Sequence, residues 1–99
     1  MKTHKRLGML QSGLMACLAR LKCAHAAQAA ADYQRITGKA FEGGTIHYIL
    51  RRLEDKGLVA SKFVRDGRDR RMYRLTPKGK VALKREQRIS EAFFQGLVL

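Results

Sequence analysis

The stretch TIHYILRRLEDKGLVASKFVRDGRDRRMYRLT, residues Thr45–Thr76, decides the fold of this chain. Its first part carries apolar residues at the spacing i, i+3, i+4 and i+7, which predicts a helix with one buried face. These residues are Ile46, Ile49, Leu50 and Leu53. Gly57 is expected to cap the end of the helix. Two extended runs follow, 58–65 and 70–75, and the Asp-Gly pair between them favours a β-hairpin.

The hairpin is expected to pack one side against a core. Because side chains alternate between the two faces of a strand, Tyr73 and Leu75 share a face that should point inward. Thr76-Pro77 then supplies an N-cap and a first helical residue, which predicts that another helix starts here. Gly79 is expected to weaken the first turn of that helix by roughly 1 kcal/mol relative to alanine.

Two more helices are predicted before the quoted stretch, over residues 6–22 and over residues 24–37, with Gly38 after the second. The predicted fold is mostly α with a small β-hairpin, in the order helix-helix-helix-strand-strand-helix. Residues 1–99 are expected to form a single domain, and the C-terminal helix, 77–99, is expected to contribute to dimerisation.

Composition points to a polyanionic partner. The 99 residues include 21 Lys and Arg against 8 Asp and Glu, which gives a formal net charge of +13. Residues 51–88 alone hold 14 of the cations and 5 of the acids. An apolar fraction of 45% argues against a disordered basic tail. No apolar run approaches the roughly 20 residues that span a bilayer, so we expect a cytoplasmic protein without membrane contact.

Enzymatic and metal-binding functions receive little support. The sequence offers no acid pair, no nucleophile with its base and no phosphate-binding loop, so we expect no catalytic residue and no cofactor. Cys17, Cys23 and His25 suggest a metal or redox sensor as an alternative. Their spacing fits no common zinc pattern, however, and small thiols on an apolar helix usually pack in a core, so we expect no metal site.

Two segments resemble the PadR-like transcriptional regulators. They are GGTIHYILRRLEDKGLV, Gly43–Val59, and RRMYRLTPKGKVAL, Arg70–Leu83. The chain departs from the family where AHAAQ, Ala24–Gln28, stands in place of a His-Gly-Tyr motif, and where Gly43 replaces a proline. The MarR-like regulators are a neighbouring possibility. Either resemblance implies a winged helix-turn-helix fold and a regulator that binds double-stranded DNA.

The resemblance makes 45–56 a recognition helix for the major groove, and the hairpin, 62–74, a wing that contacts the DNA backbone or the minor groove. Residues near the start of such a helix reach base edges, and an arginine one turn later pairs with guanine or phosphate. The expected helix contacts are Gly44, Thr45, His47, Tyr48, Arg51 and Arg52. The expected wing contacts are Lys62, Arg65, Arg68, Arg70 and Arg71.

A homodimer on a palindromic operator is expected, since winged-helix regulators commonly bind two half-sites symmetrically. The expected interface residues are Leu10, Leu14, Ile89, Phe93, Phe94 and Leu97. Repression is favoured over activation because occupying an operator requires no further chemistry. The alternative is a winged-helix adaptor or structural protein that binds RNA or an acidic protein within a larger assembly. Nothing in the sequence identifies a small-molecule effector.

Overall fold

The computed structural model describes residues 8–65, 67 and 69–98, with side chains as far as residue 89. Its elements are α1 (Met9–Leu21), β1 (Ala24–His25), α2 (Ala26–Thr37), α3 (Thr45–Asp55), β2 (Val59–Arg65), β3 (Asp69–Leu75) and α4 (Pro77–Val98). The predicted class, mostly α with a β-hairpin, is confirmed, and a short strand is added between the first two helices. The wing is the β2–β3 hairpin.

Strand β1 corrects the predicted start of the second helix. Ala24 and His25 pair with β3, opposite Tyr73 and Met72, which makes an antiparallel sheet in the order β1-β3-β2. His25 then caps α2, because its Nδ1 accepts a hydrogen bond from the Gln28 backbone N–H at 3.3 Å and its own N–H donates to Gln28 Oε1 at 3.0 Å. These two residues are therefore extended rather than helical.

The core lies between α1, α3 and the inner face of the sheet. The four apolar residues predicted for α3 are buried, and so are Tyr73 and Leu75. Leu14 of α1 has no exposed surface within the chain itself, so it belongs to this core and presents nothing to a second chain. Its predicted place in a dimer interface is therefore corrected. Burial of one face of α3 leaves the opposite face of that helix in solvent.

The wing is fastened at its base. Gly57 has φ 76°, its N–H donates to the Glu54 carbonyl, and the Leu58 N–H donates to the Leu53 carbonyl, which together form a Schellman cap. Thr76 Oγ1 donates to the Gly57 carbonyl at 2.7 Å and accepts from the Gly79 N–H at 2.9 Å. The predicted N-cap is confirmed, and it ties the start of α4 to the end of α3.

Helix α2 is held to α1 by a partly buried ion pair and by an aromatic ring. Asp32 is buried and pairs with Arg20 of α1 and, at 2.8 Å, with Arg35. The Tyr33 ring packs over Gly13, and its centroid lies 4.7 Å from that of Phe41, which anchors the loop before α3. None of the helices in the described ranges is both long and apolar enough to cross a membrane.

Candidate nucleic-acid interface

The exposed face of α3 carries the residues predicted to contact DNA. Gly44 is the exposed N-cap, Thr45 is half-buried, and the remaining four predicted side chains are exposed. Those four are His47, Tyr48, Arg51 and Arg52. A helix that is clamped to its core by one face and solvated on the other has the shape required to enter a groove about 12 Å wide.

Tyr48 and Arg52 act as a pair on this face. The guanidinium carbon of Arg52 lies 5.8 Å from the centroid of the Tyr48 ring, one helical turn away. The ring itself is 60% exposed, which is high for a large aromatic side chain. An exposed aromatic ring beside a guanidinium can contact both bases and phosphates, so this pair suits a nucleic-acid surface.

A cleft of about 500 Å³ separates α3 from β3. It is lined by His47, Tyr48, Arg51, Glu54, Arg71 and Tyr73. Burial raises the pKa of the Tyr73 phenol; Glu54 raises it further, and Arg71 and Arg51 oppose the shift. The phenol therefore stays protonated at neutral pH and keeps its hydrogen-bond donor. The cleft brings cations of the helix and of the wing to the same opening.

Strand alternation divides the cations of the wing between two faces. Arg65 and Arg71 share the inner face with Tyr73, towards α3, because they alternate in register with it across the hairpin. Lys62 and Arg70 lie on the outer face, where they line a separate hollow with Met72. The predicted wing residues are thus not gathered on one surface. Arg68 lies outside the described residues.

The cations of the inner face differ in how they are held. Arg65 Nε lies 3.3 Å from Asp69 Oδ1, and both side chains are largely exposed, so this pair is weak. Arg71 donates to the Ser61 hydroxyl at 3.0 Å, and that hydroxyl donates to Glu54 Oε2 at 2.7 Å. The sequence does not predict Glu54 or Ser61 as residues of the site.

The residues predicted for a dimer interface fall into three groups, of which the first is Leu14, buried in the core. Leu10 is 42% exposed on α1 and Ile89 is half-buried on α4. The side chains of Phe93, Phe94 and Leu97 lie outside the described part of the chain. A largely apolar groove of about 880 Å³ runs between α1, α2 and α4, and Gly13, Ala16, Tyr33 and Leu83 are among the residues that line it.

The two thiols are in different surroundings. Cys17 is buried on α1 and burial raises its pKa, whereas Cys23 is exposed; both are free cysteines. Within the described ranges, no group of three or more His, Cys, Asp or Glu side chains is placed to hold a metal ion. The thiol on α1 therefore contributes to packing.

The chain is similar to known regulators. A model of the transcriptional regulator PadR-like family matches residues 17–85, more than half of the chain. The transcriptional regulator Rv3488 of Mycobacterium tuberculosis is 49% identical over 49 residues, which cover 48% of this chain and 46% of that protein. The match thus spans less than half the length of this curated relative.

Two solved structures share the fold. A PadR-like transcription factor from Bacteroides fragilis superposes with a TM-score of 0.81 at 24% identity, over 91% of this chain and 87% of that one. Bacillus subtilis PadR, solved in complex with operator DNA, gives a TM-score of 0.69 at 21% identity, over 78% of this chain and 45% of that one.

The resemblance carried by Gly43–Val59 and Arg70–Leu83 is confirmed, since both segments lie within the matched range. The family consists of transcriptional regulators, which are not enzymes. The winged-helix architecture agrees with this assignment in its helices and in its three-stranded antiparallel sheet. We conclude that the chain belongs to the transcriptional regulator PadR-like family.

Proposed function

We propose that this chain is a repressor that recognises a specific sequence in double-stranded DNA, with α3 in the major groove and the wing on the backbone or in the minor groove. The observation that carries the proposal is the division of α3 into two faces. Four apolar side chains fix one face to the core, and the polar face, with His47, Tyr48 and Arg51, opens beside a cationic wing. The operator complex of Bacillus subtilis PadR supports DNA as the partner.

The start of α3 is the part that reaches base edges in this proposal. Thr45, His47 and Tyr48 occupy its first turn, where a docked recognition helix makes its base contacts. Arg51 and Arg52 lie one turn further along, and we assign at least one of them to a phosphate. Arg65, Arg68 and Arg71, with Lys62 and Arg70, add backbone and minor-groove contacts from the wing.

A homodimer follows from the same proposal. We assign Leu10, on the exposed side of α1, and Ile89, on α4, to the surface that meets a second chain. We assign Phe93, Phe94 and Leu97 to the same interface from the sequence alone. A two-fold dimer presents two α3 helices to half-sites about 34–36 Å apart, which requires a palindromic operator. Light scattering on a size-exclusion column should give twice the chain mass at tens of micromolar, and the mass of a single chain would contradict the dimer.

Repression and a cytoplasmic location complete the proposal. A dimer that covers an operator blocks transcription by occupancy alone. We place the protein in the cytoplasm because its proposed partner is chromosomal DNA. Repression and the cytoplasmic location both depend on DNA binding, so a protein that does not bind DNA would contradict both. A reporter gene placed downstream of the selected operator should be silenced when the chain is expressed. A rise in reporter output would indicate activation instead.

The deciding experiment is selection of bound sequences from a random duplex library at physiological salt, followed by binding assays on the selected duplex, a scrambled duplex and a single-stranded RNA. The proposal predicts a palindrome that is bound far more tightly than the other two. Equal affinity for all three would support the RNA-binding adaptor. If the protein bound none of the three nucleic acids, an acidic protein would remain as the partner, and the regulator function would be overturned.

A further inference from the structure

Three residues from three different elements form one hydrogen-bonded chain across the inner face of the wing. Arg71 Nη1 on β3 donates to Ser61 Oγ on β2 at 3.0 Å. Ser61 Oγ donates in turn to Glu54 Oε2 on α3 at 2.7 Å. A hydroxyl has a single proton to donate and lone pairs with which to accept, so the direction of both bonds is fixed by the carboxylate. The chain therefore joins the helix to both strands of the wing.

An aromatic ring supports the guanidinium at the end of this chain. Phe63 pairs directly with Arg71 across the hairpin, and the guanidinium carbon lies 5.5 Å from its ring centroid. The ring is 53% exposed, so it lies outside the core and is available to the Arg71 guanidinium. Arg71 is thus held at two points, although its side chain is exposed.

The other wing cations that the structure describes lack such support. Among the described residues, the Arg65 side chain pairs with Asp69 alone, close to it in sequence, and is 81% exposed. The side chains of Lys62 and Arg70 make no hydrogen bond or ion pair with any residue in the described ranges. A mobile cation attracts phosphates without regard to sequence. A guanidinium that is fixed in direction discriminates between DNA grooves of different shape.

The position of Glu54 supports a role in orientation rather than in contact. Its carboxylate lines the cleft that faces the proposed DNA, alongside Arg51 and Arg71, and a carboxylate at that place repels phosphates. Its hydrogen bond with Ser61 binds the carboxylate to the wing instead. The cost of an acid on a surface that contacts a polyanion is offset if the acid sets the direction of a cation.

We propose that Glu54 and Ser61 are positioning residues for Arg71, and that Arg71 determines which groove shapes the wing accepts. Its target is a narrow minor groove beside the sequence that α3 contacts, because A-tracts have such a groove and its negative potential attracts arginine. Lys62 and Arg70 contribute affinity alone. The inference rests on the proposed function and adds to it a specificity determinant on the wing.

The test compares two duplexes that share the selected half-sites and differ only in the flanking steps, A·T-rich in one and G·C-rich in the other. Fluorescence anisotropy at constant salt gives the flank preference as the ratio of the two dissociation constants. For the unmodified protein we expect a preference of about tenfold, since a single good contact typically changes the dissociation constant by about this factor. Arg71→Ala should abolish it.

Ser61→Ala and Glu54→Gln should each reduce the flank preference to about threefold or less, while Ser61→Thr, which keeps a hydroxyl, should retain it. In the Arg71→Ala background, Ser61→Ala should have no further effect, because positioning has no meaning without the group that is positioned. Lys62→Ala is the matched control and should weaken binding to both duplexes alike. Phe63→Leu gives an independent variant that removes only the ring support, with an intermediate loss expected.

The outcomes separate the inference from the function on which it rests. Failure of the unmodified protein to select any sequence overturns the proposed function. A selected operator with a flank preference that survives Ser61→Ala and Glu54→Gln overturns the positioning role and leaves the function standing. If Ser61→Ala lowers the affinity for the A·T-flanked duplex equally with and without Arg71, the positioning role is also overturned. That result would report a general change in the hairpin.

Discussion

Gly79, in the first turn of α4, lies directly against the backbone carbonyl of Leu58, so closely that a β-carbon on this residue would overlap it. The same carbonyl accepts a hydrogen bond from the Thr76 N–H at 3.1 Å. The glycine is therefore a packing requirement that sets α4 against the base of the wing. Helix propensity alone describes it only as a weak point of the helix, because propensity contains no information about neighbouring elements.

Gly79→Ala should destabilise the protein by about 2 kcal/mol or more, because rigid backbone, rather than a flexible side chain, has to move. Propensity predicts the opposite sign, a gain of roughly 1 kcal/mol. Urea unfolding followed by circular dichroism distinguishes the two. Gly8→Ala is the control, since nothing lies near its β-carbon position, and it should change stability by well under about 1 kcal/mol. Equal stability of the two variants would contradict the packing account.

Asp32→Asn should lower the free energy of unfolding by about 1–3 kcal/mol, because a buried carboxylate that bonds two arginines becomes a neutral amide. Arg35→Gln should cost less than about 1 kcal/mol, since the Arg35 side chain is 65% exposed. Thermal and urea unfolding measure both variants. A larger loss from Arg35→Gln than from Asp32→Asn would place the stabilising contact elsewhere.

The thiols should react at very different rates with a disulfide reagent at mildly alkaline pH. Cys17 is buried, and this burial raises its pKa, so only a small fraction is thiolate. The same burial keeps the reagent away from the sulfur. Cys23 is exposed and should react at once. Cys23→Ser should therefore leave a protein that reacts only on unfolding. Rapid reaction of this variant in native buffer would contradict the placement of Cys17 in the core.

The affinity for the selected duplex should fall steeply with salt. If a dimer neutralises on the order of eight phosphates, the slope of log K against log salt concentration is about −7, since each phosphate contributes roughly −0.9. Lys62→Ala should make the slope shallower without changing sequence preference, because it removes one cation from each chain. Titrations of the selected and scrambled duplexes at four salt concentrations measure the slope and the sequence preference. A slope near zero would show that backbone neutralisation contributes little.

Much of the fold is predictable because its signals are local. The apolar spacing of Ile46, Ile49, Leu50 and Leu53 predicts α3 and its buried face, and the Asp-Gly turn predicts the hairpin. Strand β1 is not predictable in this way. It consists of two residues in an alanine-rich segment, and its partners Met72 and Tyr73 are far along the chain, so its pairing follows from tertiary structure.

The candidate site is predictable in part for the same reason. Exposure of His47, Tyr48, Arg51 and Arg52 follows from the helical period. The hairpin register, symmetric about Gly67, would also have paired Phe63 with Arg71. The hydrogen bond from Ser61 to Glu54 depends instead on how α3 crosses the hairpin, and no local pattern specifies that angle.

We propose that the exposed face of α3 recognises sequence while the outer cations of the wing supply affinity. The most direct measurement is the ratio of dissociation constants for scrambled and selected duplexes, at one salt concentration, for Tyr48→Ala, Arg51→Ala and Lys62→Ala. We predict that the ratio falls about tenfold or more for the two helix variants, as expected for loss of a base contact, and stays unchanged for Lys62→Ala. An unchanged ratio for both helix variants would contradict the claim.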